Sequence, residues 1–355
     1  MIRAYTMPRR KEQADNWEKS AAFVGIDYHK RSSVVTVGSR DGAILQQVRL
    51  SNDQETITKF FQRLPQETQC AVEACRGYEW LLDLLTDLGL KVSVANAKAV
   101  KLIAETRCKT DKVDSAILME LLCKGFLPTC YQAKAAERSL RERLRWRVQL
   151  VRTSTKYKNM LHALIDKENK SISNPFTAKG RKALKELKLD DCREELLGEH
   201  LDVIDFFNDR LERESSWIKT VAAELPEAQL LGTIPGVGGI VSLMFIAEVG
   251  DIARFRNASS VAAFLGLVPS VYSSGEKYRT GRITKQGCGL LRWLLIQSAW
   301  QAIRSVDGLR QRFNKISRRT GKRKAIVAIA RKLAEICYRV LRDKKPFDER
   351  RWALG

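Results

Sequence analysis

The sequence lacks the usual marks of a membrane, secreted or redox protein. No apolar run in its 355 residues approaches the roughly 18 needed to cross a bilayer. Residues 1–20 are polar and charged, without the apolar stretch of a signal peptide, and read as a flexible arm. The eight cysteines (70, 75, 108, 123, 130, 192, 288 and 337) contain no C-x-x-C pair, which argues against a zinc ribbon or disulfide framework and for reduced thiols in a cytoplasm. With only three histidines, His29, His162 and His200, a histidine-rich metal site is not expected. Neither a G-x-S-x-G elbow nor a Walker or Rossmann glycine loop in its proper context is present, so hydrolase and nucleotide-binding chemistry of those kinds is set aside. Acidic residues are also scarce, 41 against 63 Lys and Arg.

That deficit leaves a net charge of +22 and a pI near 9.8. So strong a field points to a polyanionic partner, and with no spanning segment nucleic acid is favoured over membrane. Residues 270–355 hold 22 Lys or Arg and 6 Asp or Glu, a surplus of 16, so the last quarter of the chain is the better candidate for gripping a phosphate backbone. The hydrophobic fraction of 44% is that of a globular chain, and the length suits two or three domains.

The pattern predicts an α/β region followed by an α region. Strand-like runs at Ala22–Asp27, Ser33–Val37 and Ile44–Leu50 are followed by a helix at Gln54–Arg63 and a strand at Gln69–Glu73. A helix at Tyr78–Leu88, a strand at Lys91–Ala95 and helical text through Lys112–Cys123 complete the block. The order β-β-β-α-β-α-β-α is that of a ribonuclease-H-like domain. Charged helical text then predicts two long helices around a polar link, Lys167–Gly180, forming an antiparallel hairpin or coiled coil, with Asn208 on its seam, or else an ordinary packed helical linker. The C-terminal block predicts apolar helices at Leu290–Ile303 and Lys324–Leu341. The expected division is 1–20 (arm), 21–130 (ribonuclease-H-like), 131–228 (helical hairpin) and 229–355 (mostly helical, C-terminal).

Two clusters carry chemistry. Asp27 and Glu73 each end an apolar strand, and strand ends in a mixed sheet converge on one edge. Asp111 and Asp114, three apart at a helix start, share a face and also fit an N-cap followed by an acid. Singly, each has a structural explanation, as a turn former, a solvated acid or a cap. Their joint order favours four carboxylates around a divalent cation such as Mg²⁺ or Mn²⁺, whose hard oxygen preference suits a scissile phosphate. In the second cluster a serine, Ser274, precedes Gly275 in an expected loop, followed by Lys277, Arg279, Arg282 and Lys285. Cations so placed would stabilise a serine nucleophile attacking phosphate, though a Ser-Ser-Gly sequence is more often a turn. Gly236 and Gly238, in Pro235-Gly236-Val237-Gly238, could present backbone N–H groups to a phosphate or simply join two helices.

Gly25-Ile26-Asp27, Val72-Glu73-Ala74, Lys109-Thr110-Asp111-x-x-Asp114, Ile234-Pro235-Gly236-Val237-Gly238 and the run from Gly266 through Gly287 to Leu291-Arg292 together resemble the insertion sequence 110 family of transposases. These are DEDD recombinases that use a bridge RNA, and their C-terminal region is of the insertion sequence 116/110/902 type. The resemblance spans roughly Ala22 to Phe347. It implies a RuvC-like metal site of Asp27, Glu73, Asp111 and Asp114, and Ser274 as the nucleophile that forms a phosphoserine link to DNA. Ser273 directly precedes it and leaves that position open by one residue. The resemblance further implies donor and target DNA, a guiding bridge RNA, a homodimer or homotetramer joining metal site and serine from different subunits, and a cytoplasmic, nucleoid-associated location in a bacterium or archaeon. The family includes DNA invertases. Alternatives from other classes are a RuvC-like junction nuclease using water, and a non-catalytic basic nucleic-acid-binding protein.

Overall fold

The computed structural model describes residues 17–103, 110–187, 189–274 and 277–352. The chain divides into two compact units, Met1–Gln132 and Ala133–Gly355. No described helix is long and apolar enough to cross a membrane.

In the first unit a short helix α1 (Trp17–Ser20) leads into strands β1 (Phe23–Tyr28), β2 (Ser32–Gly38) and β3 (Ile44–Ser51). Helix α2 (Gln54–Phe61), strand β4 (Gln69–Glu73), helix α3 (Glu79–Asp87) and strand β5 (Lys91–Ala95) follow, then α4 (Ala97–Ile103) and α5 (Asp111–Cys123). The five strands form one sheet in the order β3-β2-β1-β4-β5, antiparallel between β1, β2 and β3 and parallel between β1, β4 and β5. This is the mixed, ribonuclease-H-like arrangement expected from the sequence, with strand limits within a residue of those read from alternation.

Alternation also divides the two sheet faces. Val24, Ile26, Val35, Val37, Cys70, Val72 and Val94 join Ile57, Phe60 and Phe61 of α2 and Leu81, Leu82 and Leu85 of α3 in one core. The opposite face carries small residues and receives α5. A Cβ on Gly25 would stand 2.0 Å from the Ser115 carbonyl oxygen and 2.5 Å from the Met119 nitrogen. Thr36 and Ser115 share a hydroxyl hydrogen bond of 2.7 Å, and Ala71 and Ala95 pack with Leu118. Small residues on four neighbouring strands let the helix lie almost on the backbone.

The second unit opens with α6 (Ala135–Lys167), α7 (Ala178–Lys185) and α8 (Asp191–Glu224). Helices α6 and α8 run antiparallel: Arg143 meets Glu214, Tyr157 meets Phe207 and His200, and Glu168 meets Arg193. The polar link expected at Lys167–Gly180 is longer than that and enters a helix, α7, whose Leu184 is buried with Leu161, Leu164, Ile165, Leu197 and Ile204. Only three apolar positions per two turns show in so short an amphipathic segment, and its Lys and Arg hide them.

Helices α9 (Pro226–Gly232), α10 (Gly239–Val249) and α11 (Ala258–Phe264) come next, with a 3-10 turn at Ile252–Arg254 between the last two. A two-stranded antiparallel ribbon follows, β6 (Pro269–Ser274) and β7 (Lys277–Ile283), then α12 (Gly289–Ser305), α13 (Asp307–Thr320), α14 (Lys322–Asp343) and α15 (Glu349–Trp352). Helix α13 was not expected, because its polar composition masks the buried Leu309 and Phe313. Leu144 of α6 and Ile218 of α8 belong to the same core as Phe245, Leu295, Ile329 and Leu333, so the helix pair is rooted in the C-terminal bundle.

Candidate metal centre and nucleic-acid interface

Strands β1 and β4 are parallel and in register up to Ile26 and Val72. Asp27 and Glu73 are the next residues of each, still paired with Val34 and Ala95, so both stand at the same end of neighbouring strands, about 4.8 Å apart. Parity puts Asp27 with Gly25, and Glu73 with Ala71, on the face that α5 covers. Helix α5 begins at that edge. Its N-cap is Thr110, whose hydroxyl accepts from the Val113 N–H at 3.4 Å. The capping alternative for Asp111 is thus not taken up: Thr110 serves the orphan donor, and both aspartates stand in the first turn of the helix. Lys109 lies outside the described residues.

The structure brings Asp27 and Asp111 together with a residue that sequence reasoning missed. His29 Nε2 lies 3.1 Å from Asp27 Oδ2 and 3.5 Å from Asp111 Oδ1, and all three side chains offer ligand atoms within 4.8 Å of one another. Asp111 Oδ2 also accepts from Arg49 Nη2 at 2.6 Å. Burial pushes the Asp27 carboxyl above its ordinary value; His29 opposes this, and the charges of Asp114 and Asp111 add to it. The hydrogen bond from Arg49 pulls Asp111 the other way, below its ordinary value. His29 had a signal in the sequence, two residues beyond a strand-end aspartate. Arg49 had none, since it arrives from two strands away.

This donor set fits a divalent cation. Three ligand atoms converge, and Asp27, 14% exposed, is raised above its usual value by burial and by the charge of Asp114, a cost that a bound cation would offset. Carboxylate oxygens suit Mg²⁺ or Mn²⁺.

In the second unit, Ser274 is the last residue of β6 and pairs with Lys277 of β7, while Ser273 pairs with Tyr278. The serine segment expected as a loop is thus a β-ribbon at these positions; Gly275 lies outside the described residues. Two strands alone are marginal in water. Here the ribbon's base is tied down: Arg292 Nη1 donates to the carbonyls of Leu265 at 3.1 Å, Gly287 at 3.3 Å and Gln286. Gly266 and Gly287 have positive φ, and a Cβ on either would strike the facing backbone, at 2.4 Å and 2.3 Å. Arg279, Arg282 and Lys285 are exposed. Gly236 (φ +84) turns the chain between α9 and α10, and its missing Cβ makes room for the Ser298 carbonyl, so packing alone accounts for it. Gly238 caps α10 and faces open space.

Comparison with known proteins agrees with both halves. The family model described as "Transposase IS116/IS110/IS902 family" matches residues 228–315, and a DEDD-type transposase model of the IS110 group matches residues 24–169. The transposase for insertion sequence element IS1328 of Yersinia enterocolitica is 26% identical over 282 residues, 79% of this chain and 83% of that protein. The transposase for insertion sequence element IS1111A of Coxiella burnetii is 27% identical over 293 residues, 78% of this chain and 79% of that protein. The pilin gene-inverting protein of Moraxella bovis is 35% identical over 126 residues, 35% of this chain and 39% of that protein. With one family model on the carboxylate unit, another on the ribbon-bearing bundle and transposases aligned along most of the chain, this protein belongs to the IS116/IS110/IS902 family of transposases.

Proposed function

We propose that the protein cuts and rejoins DNA as a transposase, using Asp27, Glu73, Asp111 and Asp114 to hold metal and Ser274 as the attacking group. The observation that carries this reading is the convergence of Asp27, His29 and Asp111 within 4.8 Å, with Asp114 in electrostatic reach, at the edge where β1 and β4 end. Mg²⁺ or Mn²⁺ held there would neutralise the carboxylates and stabilise charge on the attacking and leaving phosphate oxygens. Asp27 and Asp111 supply anionic oxygens, His29 a third donor, and Arg49 orients Asp111. At the ribbon, the Ser274 hydroxyl attacks phosphorus. Its proton passes to solvent as the new O–P bond forms, and the departing sugar oxygen takes the broken bond's electron pair and a proton from solvent, leaving a phosphoserine link. Lys277, Arg279, Arg282 and Lys285 offset the phosphate charge, and the Gly238 N–H at the start of α10 adds a backbone donor.

The family resemblance supports the remaining parts of the reading. Donor and target DNA are selected by pairing to a bridge RNA, so the protein needs backbone contacts more than a base-reading helix. The α6–α8 pair acts as a coiled coil that joins subunits in a dimer or tetramer, which lets one subunit's serine serve another's metal site. A second outcome, inversion of a DNA segment, is favoured by the 35% identity to the Moraxella pilin gene-inverting protein.

Incubation with a nicked suicide DNA substrate and Mg²⁺ tests the scheme. A covalent protein–DNA adduct is expected, mapped by mass spectrometry to Ser274, absent in Ser274→Ala and reduced about a thousandfold in Asp27→Ala. Full-rate cleavage by Ser274→Ala would make water the attacker, and an adduct on Ser273 would move the nucleophile by one residue.

A further inference from the structure

Within the second unit, a cavity of about 330 Å³ opens between α6, α10 and α12, with no strand residue of the ribbon in its lining. Its wall on α6 is the face formed by Arg147, Val148, Val151, Arg152 and Thr155; Ile240, Trp293 and Leu294 close the other side. Trp293 is 47% exposed, which leaves much of an indole face open at the cavity. Arg147 is half-buried, and its Nε has no hydrogen-bond partner among the described residues. Glu214, whose charge acts on it, is already gripped by Arg143 at 3.0 Å. Burial without a full partner pulls the Arg147 guanidinium below its ordinary value. Arg152 is exposed beside it, and no acidic side chain lines the cavity.

These features define an occupant. A flat apolar wall wants an aromatic ring. A guanidinium whose buried Nε is unpartnered, with a second arginine at the rim, suits a phosphate, which a guanidinium can meet with two parallel hydrogen bonds. A volume at the lower end of ligand pockets admits one ring-bearing unit, not a helix. We propose that this cavity receives one unpaired nucleotide of a DNA strand, its base against Trp293 and its phosphate on Arg147 and Arg152. A base inside a duplex cannot reach such a wall, so the cavity favours strands already opened. The site would hold a displaced strand while its neighbour is cut or rejoined. DNA is chosen as occupant because the inference rests on the DNA-recombining reading.

The experiment uses the full chain, with short single-stranded DNA, the same sequence as a duplex, and the same sequence as RNA. Affinities are read by fluorescence anisotropy, and the contact by photocrosslinking of 5-iododeoxyuridine followed by mass spectrometry. Wild-type protein should crosslink at Trp293. Trp293→Leu should lose about tenfold in affinity for single-stranded DNA while duplex affinity holds, and Trp293→Phe, which keeps an aromatic face, should retain binding. Arg147→Gln should lower the single-strand salt slope by about 0.7. Equal losses on duplex, a loss as large in Trp293→Phe, or a greater loss on RNA than on DNA would overturn the proposal. Failure of the wild type to bind any of the nucleic acids would instead sink the recombinase reading itself, so the two failures are distinguishable.

Discussion

Asp27 sits under opposed influences. Burial, Asp114 and Asp111 make its charged form costly, while His29 relieves part of that cost. Because its folded-state pKa lies above the ordinary carboxylate value, the metal-free fold binds that proton more tightly than the unfolded chain does. Asp27 therefore costs stability once pH rises through the raised pKa, and costs nothing below the unfolded value. Asp27→Asn should accordingly raise the melting temperature of the protein in EDTA at neutral pH, and the gain should fade as pH falls into the ordinary carboxylate range. Added Mg²⁺ should reverse the ranking by stabilising wild type alone. A thermal melt series with and without Mg²⁺ reads all three; a variant that is less stable in EDTA at neutral pH would show that His29 and Arg49 already balance the site. The aspartate's strand-end position was legible from its place after Phe23-Val24-Gly25-Ile26. Its partnership with His29 was hidden because histidine scarcity argued against a histidine ligand.

At the scale of elements, chain termini of helices do much of the positioning. Thr110 caps α5 and sets Asp111 and Asp114 in its first turn, where the positive end of the helix favours acidic charge. Helix α10 shows the complementary device. Its last carbonyls are taken by arginines from elsewhere, Ala247 by Arg141 Nε at 2.6 Å and Val249 by Arg254 Nε at 3.0 Å. The buried Glu248 accepts from Arg145 at 2.7 Å and pairs with Arg141 at 3.7 Å, locking α10 to α6. Breaking a buried pair typically costs 3–5 kcal/mol, and Arg145 is half exposed, so Glu248→Ala should cost about 3 kcal/mol in urea unfolding. A change under about 1 kcal/mol would reduce the contact to a surface ion pair. Neither arrangement could be read from periodicity, which locates a helix by its apolar stripe but does not say which distant side chain answers its open end.

For the whole molecule, charge is the dominant physical fact. A net +22, concentrated toward the C-terminus, makes DNA affinity depend steeply on salt. The exposed Arg282 and Lys285 should each release about one counterion, so the double variant Arg282→Ala/Lys285→Ala should lower the slope of log affinity against log salt on duplex DNA by about 1.8. An unchanged slope would remove the ribbon from the DNA interface.

Alternation and spacing were enough to read the strand order's raw material, the long helices and the basic C-terminal quarter, because each depends on side chains close in sequence. The serine segment was misread as a loop since glycine, serine and charge dominate its sequence and leave no apolar alternation to mark strands. The sequence also put the four acids forward as one site, and the structure brings Asp27 and Asp111 of them together with His29. The meeting of Asp27 with Asp111 depends on Gly25, Thr36 and Ala71 admitting α5 against the sheet, contacts between segments up to 94 residues apart that no local pattern encodes. Likewise, Arg147 and Trp293 look like ordinary helix residues in the sequence, and packing of α6 against the C-terminal bundle is what places them around one cavity.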